Sequence, residues 1–100
     1  MIARIWHGTT LIEHYDEYWR FLHQRAIPDY QATPGNLGVR LLRRIDDGRA
    51  HFLTMSFWNS LDDVRAFAGD EVERAKYYPE DAGYLLEFEP KVLHYEISAG

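Results

Sequence analysis

The chemistry open to this chain rests on few side chains. There is no cysteine, which removes disulfides, Cys-ligated zinc, iron–sulfur clusters and thiol nucleophiles. His7 ends an alternating apolar stretch. A neutral imidazole there can take a proton from an acidic phenol or enol; a polar strand end bonded to a nearby carbonyl is the plainer alternative. Tyr77 and Tyr78 stand just before Pro79 and can offer hydroxyls at a pocket mouth, or simply pack. His14 with Glu17, and His23, have helical spacings that ligands use, but nothing converges on them and no metal site is expected. Glu71, Glu73, Glu80 and Asp81 read as acids of helix starts and turns. Gly35-Asn36-Leu37-Gly38 lacks the spacing and the following helix of a phosphate loop.

The elements that must position these groups follow from pattern. Residues 2–7 alternate and are rich in β-branched and aromatic types, so they read as a strand. Thr10 with Glu13 forms a capping box that starts a helix, whose stripe is Leu11, Tyr15, Tyr18, Leu22 and Ala26, widened by Trp19. Pro28 marks the end of the regular helix, and residues 29–36 form a loop. Strands at 37–46 and 49–58 are joined by Asp47-Gly48, which accepts the positive φ angles of a type I′ turn. Ser60 caps a second helix with the stripe Leu61, Val64, Phe67 and Ala68, and Gly69 ends it. Asp70 with Glu73 predicts a short helix to Pro79, and residues 84–97 close the sheet. The order is the split β-α-β, ferredoxin-like arrangement: α+β, one domain over residues 1–100, helices on one face of an antiparallel sheet.

Composition limits partners. The net charge is −5, and the longest basic run is the pair Arg43-Arg44, so nucleic acid and anionic membranes are disfavoured. No run approaches the ~20 apolar residues of a membrane span, and no apolar signal core follows Met1; the cytoplasm is the expected compartment. Aromatic residues are 15% of the chain, an area that needs a core, a pocket or a partner to cover it.

Strand alternation separates two faces. One, with Ala3, Ile5, His7, Leu53, Met55, Phe57, Leu93, Tyr95 and Ile97, is nearly uniformly apolar and is expected to meet the helices. The other mixes Trp6, Phe52, Trp58 and Val92 with Arg4, Arg40 and His94. An open antiparallel face is normally polar, so its aromatics predict a homodimer built on Trp6, Phe52 and His94; half-covered strand ends are the alternative.

Ile-Ala-Arg-Ile-Trp at 2–6, Pro-Gly-Asn followed by 38–44, Thr54 to Trp58 with Ser60-Leu61, 67–70, 77–81 and His94-Tyr95-Glu96 together resemble the antibiotic biosynthesis monooxygenase (ABM) domains. The resemblance spans nearly the whole chain. It implies a dimeric α/β-barrel and, more loosely, a cofactor-independent monooxygenase of a quinol or polyketide-like substrate; a non-catalytic binder of a small hydrophobic or aromatic ligand is the alternative. Family members that degrade haem carry an Asn, a Trp and a ligating His where this chain has His7, Trp58 and about Tyr77. Only the Trp is kept, which weakens a haem reading. The catalytic candidates are therefore His7, Trp58 and Tyr77, with no cofactor. Tyr15, Trp19, Leu22, Phe67 and Tyr78 are candidates for the substrate pocket; Tyr15, Trp19 and Leu22, on the first helix's apolar stripe, are more often core than pocket, and plain packing is the even alternative for Tyr78.

Overall fold

The computed structural model describes residues 1–98. Four strands, β1 (Ile2–Leu11), β2 (Asn36–Asp46), β3 (Arg49–Trp58) and β4 (Leu93–Glu96), form one sheet in the order β2-β3-β1-β4. Every pairing is antiparallel. The hairpin forms as its turn residues require, with Asp47 at φ 51° and Gly48 at φ 73°. This is the α+β ferredoxin-like topology expected from element order. Among the described residues no helix is long and apolar enough to cross a membrane.

One long helical layer follows β1, and it differs from the capped helix expected. Thr10 stays in the strand, its hydroxyl bonded to the Leu11 carbonyl rather than capping. A 3-10 turn (Ile12–His14) leads into α1 (Tyr15–Phe21), a π turn (Leu22–Ala26) and α2 (Ile27–Ala32). Pro28 therefore does not end the layer. It sits in the first turn of α2, where its missing N–H costs little. The buried residues Tyr18, Leu22, Ala26 and Tyr30 recur every four positions. On a 3.6-residue helix that repeat drifts by about 40° per step. The wider π turn takes up part of the drift, which keeps Ala26 and Tyr30 against the sheet.

Helix α3 (Leu61–Ala68) begins after Ser60, whose hydroxyl makes no capping bond to the helix backbone, and ends at Gly69, φ 84°. The short helix expected from Asp70 does not form. Residues 73–75 pair instead with 90–92, through Val92 N to Glu73 O and Ala75 N to Pro90 O, so their backbone groups are already satisfied. A 3-10 turn (Pro79–Gly83) follows. Beyond β4 the edge of β1 meets only Leu85 and Leu86, through Thr10 and Thr9.

The assignment of faces is the main correction. Alternation is as read, but the helices cover the mixed face. Trp6, Phe52, Trp58 and Val92 are core, and Phe52 and Trp58 are fully buried. Trp6, Phe52 and His94 therefore do not lie on an open dimer face. Small residues on the covered face (Ala50, Thr54, Ser56) leave room for helix aromatics, and its polar atoms find partners there. Tyr30 Oη lies 3.1 Å from Thr54 Oγ1, and Trp58 Nε1 donates to Ser56 Oγ at 2.9 Å. The apolar set is the open face: Leu93 is 60% and Tyr95 54% exposed, while Leu53, Met55 and Phe57 are half-buried. Arg40, opposite Met55, lies on the open face.

His94 pairs across the sheet with Arg4. Burial, then the Arg4 charge, pushes its pKa below the usual histidine value, and its Nε2 is buried without a partner. The folded state thus disfavours the proton that the unfolded chain accepts. Stability from this group is complete above the ordinary histidine pKa and falls as pH drops through it. Urea unfolding should show a smaller loss between pH 7.5 and 5.5 in His94→Gln than in wild type; equal losses would contradict this.

Candidate functional site

Between the helical layer and the sheet lies a small cavity of about 20 Å³, room for roughly one water. Its walls are aromatic: Trp6, Tyr18, Tyr30, Phe67 and Tyr78, completed by Leu22 and Ala26 of the π turn. Tyr30 and Phe67 stack with centroids 4.3 Å apart. Three polar groups on this wall are unusual.

The first is Asp81. It is 2% exposed, accepts from Tyr18 Oη at 2.8 Å and from the Tyr78 backbone N–H at 2.7 Å. Burial raises its pKa above the usual carboxylate range, against those hydrogen bonds. The second is Trp6, whose buried Nε1–H makes no hydrogen bond of good geometry, although it lies close enough to the Tyr77 hydroxyl to oppose the rise in pKa that burial causes there. Its indole lies across Gly8 on the same face of β1, and a Cβ at Gly8 would collide with the ring; glycine lets the indole lie flat. The third is Arg4, 1% exposed, which donates from Nη2 to the Arg74 carbonyl at 2.9 Å while Nε has no partner. Nearby, Tyr78 Oη donates to Asp29 at 2.6 Å, and Asp29 also pairs with Lys76 at 2.9 Å.

A second, open cleft of about 340 Å³ lies on the uncovered face, lined by His7, Leu42, Arg43, Arg44, Asp46, His51 and Leu53. His7 Nδ1 is 2.6 Å from Glu89 Oε2, and His7 Nε2 is 3.1 Å from His51 Nδ1. The carboxylate can only accept, so it fixes the His7 tautomer. No cluster of three or more metal-ligating side chains occurs among the described residues.

The structure does not bring His7, Trp58 and Tyr77 together. His7 faces the open side and Trp58 the helices. Tyr77 is half-buried beside Trp6 and donates to the Glu89 carbonyl at 2.5 Å. Leu22, Phe67 and Tyr78 line the interlayer cavity. Tyr15 and Trp19 do not; their rings sandwich the Arg43 guanidinium, 4.1 and 4.5 Å from the centroids. Sequence reasoning missed Asp81, Arg4 and Gly8 as site residues. Only Gly8, a lone glycine within a strand, carries a sequence signal of close approach.

No family model and no curated protein matches the chain. Several solved structures share its fold, among them three that cover nearly the whole chain. One is provisionally named an antibiotic biosynthesis monooxygenase, from Nitrosomonas europaea (19% identity, TM-score 0.65, 96% of this chain and 97% of that one). Another is an antibiotic biosynthesis monooxygenase (14%, TM-score 0.64, 99% and 100%). The third is a mutant of MhuD with two manganese protoporphyrin IX molecules bound per active site (16%, TM-score 0.62, 100% and 97%). At these identities the likeness is one of architecture, and it agrees with the resemblance carried by the sequence: the chain has the ABM-domain fold.

Proposed function

We propose that the protein is a cofactor-independent monooxygenase that takes a small electron-rich phenol or enol between its helical layer and its sheet. The observation that carries this reading is one aromatic cage holding both a buried carboxyl, Asp81, and a buried donor without a well-placed acceptor, Trp6 Nε1. The Asp81 carboxylate takes the substrate's hydroxyl proton, and the Trp6 N–H donates to the oxyanion that forms. The anion passes one electron to dioxygen. Recombination at a ring carbon then forms the new C–O bond. Loss of water leaves one oxygen atom as a carbonyl and releases the other, so phenol and dioxygen give quinone and water. Admitting a ring requires the π turn to move outward, since Leu22 and Ala26 form part of the cavity wall.

The same proposal includes a homodimer, with new residues in the interface. The open face presents Ile5, Leu42, Leu53, Met55, Phe57 and Leu93, an apolar surface of the kind a second sheet covers. A haem-like porphyrin, such as the manganese protoporphyrin IX bound by the MhuD mutant, does not fit the interlayer cavity. No histidine lines it, and the Tyr77 and Tyr78 hydroxyls are committed to Glu89 O and Asp29. Oxygen uptake tests the reading. Purified protein should consume dioxygen with some members of a quinol and phenol panel, and Trp6→Phe should slow it. Ligand binding without uptake across the panel would leave a non-catalytic binder and end the oxygenase proposal.

A further inference from the structure

Arg4 is a buried cation without a counterion. Its side chain is 1% exposed, and among the described residues no carboxylate oxygen lies within 4.0 Å of it. Its contacts are neutral: the Arg74 carbonyl, the Tyr30 hydroxyl, the Phe67 ring 5.3 Å from Cζ, and the cavity it lines. The acids nearby are already engaged. Asp29 holds Lys76 and Tyr78, and Asp81 holds the Tyr18 hydroxyl and the Tyr78 N–H. An isolated buried charge is costly unless something pairs with it, and Nε is the donor left free.

We propose that the ligand of the interlayer cavity is an aromatic or enolic acid whose carboxylate pairs with Arg4 while its reacting hydroxyl lies toward Trp6 and Asp81. This rests on reading the cavity as the substrate site. Arg4 and Trp6 share one face of β1 two residues apart, about 6.6 Å along a strand. That is close to the length of one benzene ring with para substituents. One end of such a ring meets a permanent cation, and the other meets a neutral donor and a base.

Calorimetric titration with 4-hydroxybenzoate and its neutral isostere 4-hydroxybenzamide tests this in the intact protein. Wild type should prefer the acid by about tenfold or more, the scale of a charge-assisted hydrogen bond. The preference should vanish in Arg4→Met and survive in part in Arg4→Lys. Equal affinity of wild type for acid and amide would overturn the inference while leaving the cavity as the site; this comparison needs no variant. Acid preference that persists in Arg4→Met would also overturn it, by placing the anion elsewhere. If neither probe binds, the inference falls together with the reading of the cavity.

Discussion

Asp81→Asn is expected to slow turnover of a phenolic substrate by about 10²- to 10⁴-fold, the usual contribution of a positioned base. The amide still presents an oxygen to the Tyr18 hydroxyl, but it sets an NH₂ group against the Tyr78 N–H that now donates to Oδ2. A stability loss of about 1–3 kcal/mol should accompany the substitution, and thermal unfolding measures it separately from rate. The pH dependence has a definite sign. Burial raises the Asp81 pKa, so turnover in wild type should rise with pH through that raised value as the base form appears. Stability runs the other way. The folded state holds this proton more tightly than the unfolded chain, so its contribution is complete below the ordinary aspartate pKa and declines as pH rises through the raised one. Near-wild-type turnover in a folded Asp81→Asn protein would remove Asp81 as the base.

The second large effect separates the two faces of the sheet. Phe57→Asp should yield a folded monomer, because Phe57 lies on the open face and a carboxylate there would be buried without a partner in a dimer. Phe52→Asp should instead unfold the protomer, since Phe52 is fully buried among Tyr15, Tyr18 and Trp19. Trp58→Ala, by truncation alone, should cost about 3–5 kcal/mol. Sedimentation velocity with circular dichroism distinguishes these results. A monomeric wild type at micromolar concentration, or a dimeric Phe57→Asp, would contradict the dimer proposal.

Local chemistry was legible wherever a residue type leaves few conformations. Asp47-Gly48 and Gly69 mark a turn and a helix end because both need positive φ, and both are found there. Strand alternation was legible too, but its polarity was not. Leu53, Met55 and Phe57 look more like a core than Thr54 and Ser56 do, yet the helices bring aromatic rings and hydroxyls that suit the smaller, mixed face. Periodicity counts apolar positions; it cannot see which face a neighbour will cover. Pro28 signals a stop only for a regular helix, and the π turn that ends at Ala26 lets the chain carry it in the first turn of α2 instead. Asp81 and Arg4 were invisible for a related reason. Charged residues are almost always exposed, and only tertiary packing shows that these two are not.

The most direct test of the interlayer site is the indole N–H region of a ¹⁵N–¹H correlation spectrum during titration with 4-hydroxybenzoate. The chain has three tryptophans, and Trp6→Phe assigns the relevant signal. Trp58 Nε1–H is already bonded to Ser56, and Trp19 stacks on Arg43 outside the cavity. The Trp6 resonance should move downfield as its N–H gains a well-placed acceptor, with Trp58 little changed. A saturable titration that leaves Trp6 in place while the imidazole signals of His7 and His51 move would put the ligand on the open face and contradict the interlayer site.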